Sequence, residues 1–181
     1  MNIVEKIVTL ADVLDEARMP HAFGGALALA YCTERARGTV DIDLNVFVDQ
    51  SKADEVLSMF PDEVAVDEES RHQLFSDGQT RLWWDATPLD LFLNTTHFHV
   101  EAAERRRTHE FAGRAISFLG CSDLAVFKAF FNRSKDWVDL EEMHKVGMLD
   151  VDLLIGVLVR YLGPDDERVA RVLLLTNSPS R

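Results

Sequence analysis

Residues 39–48 alternate in character, and the alternation carries two aspartates, Asp41 and Asp43, with Ile42 between them and Val40 and Leu44 outside. Successive side chains of a strand project to opposite faces. The stretch therefore reads as a strand that sends Val40, Ile42 and Leu44 into a core and holds Thr39, Asp41 and Asp43 on the other face. Two carboxylates held side by side repel each other unless a cation sits between them. A pair of oxygen donors that leaves room for further oxygen ligands is what Mg²⁺ (or Mn²⁺) takes. This strand thus fixes one apolar layer and one charge-bearing face.

The chain around it supplies the rest of an α/β layout. Ile3, Val4, Ile7, Leu10, Ala11, Leu14 and Ala17 recur with a helical period, up to Pro20, which biases the residue before it away from helix. Residues 21–23 read as a short apolar strand, and Gly24-Gly25 turns the chain into an Ala- and Leu-rich helix over 26–31. Glycines at a strand-to-helix turn let backbone N–H groups approach an anion, and the helix N-terminus adds positive potential. Further on, the pattern predicts a helix at 52–60 and weaker strands at 71–75 and 81–84 about the turn Asp77-Gly78. A strand at 89–93 holds Asp90 between Leu89 and Leu91; a helix at 99–107 and a hairpin at 111–118 around Gly113 follow. From Ser122 onward only helices are expected, at 123–131, 136–145, 151–162 and 164–175. The expected class is α+β, with a mixed sheet flanked by helices in residues 1–120 and a helical bundle in 121–181.

Charge narrows the function classes. The 181 residues carry 19 basic and 31 acidic side chains, a net −12, which excludes coating nucleic acid or anionic lipid through overall charge. No apolar run reaches membrane-spanning length, so no membrane partner is expected, and residues 1–19 read as an amphipathic helix rather than a leader. Cys32 and Cys121 have neither the spacing of a zinc or redox site nor the density of a secreted scaffold. A reducing cytoplasm is the expected location. The charge is uneven: residues 71–135 are net +2 and include Arg105, Arg106, Arg107, Arg114, Lys128, Arg133 and Lys135. Such an island can grip phosphates locally or be a solvated surface; charge alone leaves both open.

An isolated Asp-x-Asp is weak evidence, and Asp150-Val151-Asp152 reads as a helix N-cap. Order is what adds weight: short strand, Gly24-Gly25, helix, Arg37-Gly38-Thr39, then Asp41-Ile42-Asp43. In that order the chain resembles the polymerase-beta-like nucleotidyltransferase superfamily, whose mark is a glycine-rich strand–helix turn followed by paired aspartates on the next strand. The resemblance implies a nucleotidyltransferase fold, an NTP substrate, Mg²⁺ or Mn²⁺ on Asp41 and Asp43, and a third metal carboxylate at Asp90. The candidate nucleotide-binding residues are Gly24, Gly25, Arg37, Thr39 and Arg133. Two departures are a glycine, Gly25, where serine is common, and a spacing of 16 from Gly25 to Asp41, longer than usual.

Residues 111–140, with Lys128, Arg133, Asp136 and Asp139, are similar to the AbiEii/MenT branch, the nucleotidyltransferase-like toxins of toxin–antitoxin pairs. That similarity implies that Lys128 contacts nucleotide phosphates and that Asp136 supports catalysis, as base or as orienter of the lysine; Arg133 and Arg37 either reach phosphates or brace the acidic pair. The helical half would then complete the active site. Lys128 lies among Phe127, Phe130 and Phe131, where its charge needs an anion; a phosphate or an aspartate would serve. Thr39, beside Asp41, is a candidate phosphorylation site, since phosphate there would add about −1.5 to −2 charges against the pair. His97 and His99 lack the company of a zinc site, and Trp83-Trp84 read as packing.

Three functions fit. A toxin would transfer nucleotides from an NTP to the 3′ end of tRNA and be held by a cognate antitoxin, with no DNA partner. An antibiotic nucleotidyltransferase would modify a hydroxyl of an aminoglycoside, for which an acidic protein is suited. A third possibility is an inert interaction module, against which the retention of Asp41, Asp43 and Lys128 speaks. The expectation from sequence places them in that order.

Overall fold

A computed structural model describes residues 1–35 and 38–177, with Asn177 described by its backbone alone. By packing, the chain divides into two units. The first comprises residues 1–27 and 37–119, and the second residues 28–36 and 120–181. The short segment 28–36 thus belongs with the C-terminal helices rather than with the sequence that surrounds it.

The first unit is built on a seven-stranded mixed sheet of β1 (His21–Phe23), β2 (Ile42–Asp49), β3 (Val64–Ala65), β4 (Gln79–Trp84), β5 (Thr87–Asn94), β6 (Arg107–Phe111) and β7 (Arg114–Phe118). Their order is β3-β4-β5-β2-β1-β7-β6. β2 runs parallel to β5 and antiparallel to β1, and β1 runs parallel to β7. Register separates the two faces of the sheet. Ile42, Leu89 and Leu82 stand opposite one another across β2, β5 and β4 and are 1% exposed or less. The next row, one residue along, is Asp43, Asp90 and Arg81, and it faces the other way.

Helices α1 (Ile3–Glu16), α3 (Ala53–Leu57), α4 (Glu68–Asp77) and α5 (His97–Arg105) belong to the same unit. Asn2 and Glu5 close a capping box at the start of α1, which buries Ile7, Leu10 and Leu14. Lys6 on α1 is buried too. Its ammonium donates to the Trp84 carbonyl at 2.7 Å and the Thr87 hydroxyl at 3.0 Å, and it pairs with Asp85 at 3.1 Å.

Three sequence expectations change here. Residues 71–75 are not a strand but the middle of α4. Asp67 and Ser70 form a capping box at its start, and Gly78, at φ 68°, ends it, so both helix termini are chemically specified. The 39–48 strand begins only at Ile42, and Val40 is 77% exposed rather than in the core. The predicted helix at 52–60 is a 3-10 turn, Gln50–Lys52, followed by the five-residue α3.

The second unit contains α6 (Cys121–Phe131), α7 (Ser134–Lys145), α8 (Val151–Leu162) and α9 (Glu167–Asn177), together with the later part of α2 (Gly25–Thr33). α6 packs on α7 and α8, and α8 on α9. Asn132, left-handed at φ 56°, separates α6 from α7. Its side chain accepts the Trp137 indole N–H at 2.7 Å and an Arg171 N–H at 3.1 Å, and donates to Glu167 at 2.9 Å. Asp150 caps α8 through the Leu153 N–H at 3.0 Å, so the second Asp-x-Asp is structural. Cys32 and Cys121 form a disulfide across 89 residues, with Cα atoms 5.6 Å apart, a bridge that the sequence reading did not assign. Among the described residues no helix is long and apolar enough to cross a membrane.

Candidate active site

The row of charged side chains on the polar face of the sheet is the centre of the site. Asp43 and Asp90 are register partners on parallel β2 and β5, about 4.8 Å apart between strands. Arg81 is the register partner of Asp90 on antiparallel β4. Its guanidinium forks the Asp90 carboxylate, Nε donating to Oδ1 at 2.6 Å and Nη2 to Oδ2 at 2.7 Å. The Arg81 pKa is raised above its ordinary value, first by hydrogen bonding to Asp90, then by the charge of that carboxylate and those of Asp41 and Asp43. All three acids therefore act on one arginine. Sequence reasoning missed it.

On the other side of Asp43 lies the glycine turn. The Gly24 N–H donates to the Asp43 carbonyl at 2.9 Å, extending the sheet pairing one residue past β1. Gly25 then adopts φ +53°, and a Cβ placed on it would sit 1.8 Å from Asp43 Oδ2. Only glycine leaves space there for the carboxylate. Asp41 precedes β2, and the Thr39 hydroxyl donates to its Oδ1 at 2.7 Å. Thr39 thus reaches Asp41 through a local turn, not by sharing a strand face. Arg37 lies outside the described residues.

The donor set fits a divalent cation in part. Asp41 and Asp43 supply oxygen donors beside a glycine turn, the hard-ligand chemistry that Mg²⁺ or Mn²⁺ requires. Asp90 stands in the expected register, but Arg81 engages both of its oxygens. Among the described residues no group of three or more His, Cys, Asp or Glu side chains is arranged to hold a metal. His97 pairs with Glu101 at 3.2 Å and the His99 ring lies 3.0 Å from the Thr96 hydroxyl, so neither forms a metal pair.

Arg81 also lines a cavity of about 430 Å³ with Trp83, Gln73, Glu69 and Asp67. Trp83 is 47% exposed, whereas Trp84 is buried. The first of the two tryptophans is therefore available to a ligand, and the second packs under Lys6.

In the helical unit, Lys128, Arg133, Asp136 and Asp139 form an ion-pair network. Lys128 Nζ donates to Asp139 Oδ2 at 2.7 Å and lies 3.8 Å from Asp136 Oδ1. Arg133 forks Asp136 with bonds of 2.6 and 3.1 Å. Asp136 is fully buried, and Lys128 and Asp139 nearly so. The nearest anion to the lysine is Asp139, which the sequence reading held below Asp136. Elsewhere in the basic island, Arg105 pairs with Glu101, Arg106 donates to the Ala103 carbonyl, and Arg114 pairs with Asp12. With Lys128 and Arg133, five of its seven cations have partners within the chain.

Comparison with solved structures agrees with this architecture. An antigenic nucleotidyltransferase-like protein from Paracoccidioides brasiliensis matches 94% of this chain and 85% of its own, with a TM-score of 0.57 at 14% identity. The antibiotic-resistance factor ANT(2'')-Ia matches 96% of this chain and 88% of its own, at TM-score 0.54 and 16% identity. The lincosamide antibiotic adenylyltransferase LnuA, bound to lincomycin, matches 77% of this chain and 95% of its own, at TM-score 0.53 and 13% identity. No protein-family model matches the sequence, and no curated protein does. The chain has a nucleotidyltransferase fold.

Proposed function

We propose that this protein is a metal-dependent nucleotidyltransferase that transfers a nucleotidyl group from an NTP to a hydroxyl. The observation that carries the reading is the row Gly24-Gly25, Asp43, Asp90 and Arg81, with Asp41 at its edge. A glycine turn there is shaped around one carboxylate of a pair. Asp41 and Asp43 would hold Mg²⁺ or Mn²⁺, which when bound orients the phosphates and stabilises the departing charge. The acceptor oxygen bonds to the α-phosphorus, the α-phosphorus bond to its bridging oxygen breaks, pyrophosphate leaves, and a carboxylate takes the hydroxyl proton. The cytoplasm, where NTPs are abundant, is the proposed location, although the Cys32–Cys121 disulfide is of a kind rare in that reducing compartment.

For the acceptor, the cavity beside Arg81 favours a small aminated ring. Its indole offers a stacking and cation-binding face, and Asp67 and Glu69 supply negative charge. A volume of about 430 Å³ falls in the usual range for small-molecule sites. The likeness to the fold of an antibiotic-resistance factor and a lincosamide antibiotic adenylyltransferase supports the same reading. Five of the seven cations of the basic island already have partners within the chain, which weakens its support for a bound RNA. A second reading keeps tRNA as acceptor, a toxin activity, and a cognate antitoxin. It is favoured by the Lys128–Asp136–Asp139 arrangement in the segment similar to the toxin branch. In either reading Lys128, Arg133 and Asp136 serve the nucleotide, and phosphorylation of Thr39, whose hydroxyl already touches Asp41, would silence the site.

Label transfer tests these readings. Protein with Mg²⁺ is given each α-labelled NTP in turn, with an aminoglycoside and lincosamide panel or total tRNA as acceptor, and Asp41→Ala as control. Label on a drug, absent with the variant, establishes the first reading, and label on tRNA establishes the second. No label in any lane, from folded protein lacking modification on Thr39, rejects both.

A further inference from the structure

The third carboxylate of the row is already engaged. Arg81 and Asp90 face each other on adjacent antiparallel strands, and the fork between them uses both carboxylate oxygens. Two parallel N–H···O bonds match a planar guanidinium to a planar carboxylate and make a strong, directional pair. Because the contact lies between strands in the sheet rather than on a loop, its geometry is fixed by register. Asp90 is 17% exposed and Arg81 about half exposed, by side chain.

We propose that Arg81 is a positioning residue that reserves Asp90 from the metal, so that this chain binds its divalent ion through Asp41 and Asp43 alone. The inference rests on the nucleotidyltransferase reading and refines it. Three carboxylates and one guanidinium leave a formal charge of −2, which one divalent ion balances. Without the guanidinium the row carries −3, and Asp90 becomes free to act as a third ligand.

The test is Mn²⁺ titration of the whole chain without nucleotide, read by the paramagnetic relaxation of water protons, with circular dichroism melts to confirm folding. Arg81→Gln is expected to bind Mn²⁺ about tenfold more tightly than wild type, the effect of one extra carboxylate ligand freed of its counter-ion. Asp43→Asn is expected to bind at least about tenfold more weakly, and Asp90→Asn, which leaves Arg81 unpaired and the row at −1, to fall between it and wild type. The double variant Arg81→Gln/Asp90→Asn, whose row again carries −2, is expected to return to the wild-type affinity. If Arg81→Gln/Asp90→Asn loses Mn²⁺ as severely as Asp43→Asn, Asp90 is a metal ligand in the wild type and the proposal is wrong. A folded Arg81→Gln protein with no gain in affinity overturns it as well. Absence of Mn²⁺ binding from wild type and Arg81→Gln alike would reject the metal site itself, an outcome distinct from those two.

Discussion

Gly25→Ala is the sharpest perturbation of the site, because its effect can be worked from two separate numbers. The residue has φ +53°, and an L-residue in the left-handed region costs about 1–2 kcal/mol. The new Cβ would lie 1.8 Å from Asp43 Oδ2, against the 3.0 Å below which real Cβ atoms essentially never approach another atom. The carboxylate must therefore retreat by about 1.2 Å, and overpacking of that kind adds about 1–3 kcal/mol. The expected total is about 3 kcal/mol, measured by urea denaturation followed through tryptophan fluorescence. Mn²⁺ binding should be lost with it, since Asp43 is pushed from its place. In an Asp43→Ala background the clash with the carboxylate is gone, and the backbone cost and a tight contact with the Cβ of residue 43 at 3.1 Å remain, so the same glycine substitution should cost about 2 kcal/mol there. Gly24→Ala is the control. Its Cβ would meet Leu119 Cδ1 at 3.1 Å and Asn45 Nδ2 at 3.2 Å, ends of side chains that can give way, and about 1 kcal/mol is expected. An equal cost of Gly25→Ala in both backgrounds, or intact Mn²⁺ binding in the single variant, would refute the reasoning.

Three further perturbations probe the rest of the chain. Lys128→Met should destabilise by about 3 kcal/mol, because it strands the buried Asp139 carboxylate, and Lys128→Met/Asp139→Leu should recover most of that in urea denaturation. A neutral Lys128→Met would instead show that the lysine does not bind Asp139 in solution. Reduction, or Cys32→Ala/Cys121→Ala, should cost about 2–4 kcal/mol for a bridge closing a long loop; reductant should then have no effect on the double variant. Burial lowers the pKa of His21 below the ordinary histidine value of 6.5, while its ring nitrogen contacts the Met19 carbonyl at 2.9 Å. The unfolded chain therefore binds the proton more readily, and stability present above pH 6.5 is lost as the pH falls through that value toward the folded pKa. Urea midpoints at pH 7.5 and 5.5 should differ less in His21→Gln than in wild type. An unchanged difference would remove His21 as the cause.

The elements most legible in the sequence are those whose signals are local. Period and proline placed α1, the glycine pair placed the turn after β1, and alternation about Leu89 and Leu91 placed β5. Residues 71–75 misled because five residues with mixed polarity carry no decisive period. The information lay outside them, in Asp67 with Ser70 three residues on, and in Gly78. Val40 misled for the opposite reason: its β-branched side chain suits a strand, but the pairing of β2 with β5 starts at Ile42, and nothing in Val40 itself records that. The cysteine pair is a tertiary fact, since a separation of 89 residues specifies no loop geometry.

In the site, Asp41 and Asp43 were legible because they lie two residues apart in one local pattern, whereas Arg81 depends on how two strands are joined. β4 and β5 pair from Trp84 and Thr87 outward, which leaves Asp85-Ala86 as a two-residue connection with Asp85 at φ 51°. Tight hairpins announce themselves by Asn-Gly or Asp-Gly; Asp-Ala does not, so the register could not be counted. Once that turn is known, each step back along β4 is matched by one step forward along β5, and three steps bring Arg81 opposite Asp90. A one-residue slip would send Arg81 to the other face and leave three carboxylates without a counter-ion. The short connection at Asp85-Ala86 is thus what decides whether Asp90 is held by an arginine or offered to a metal.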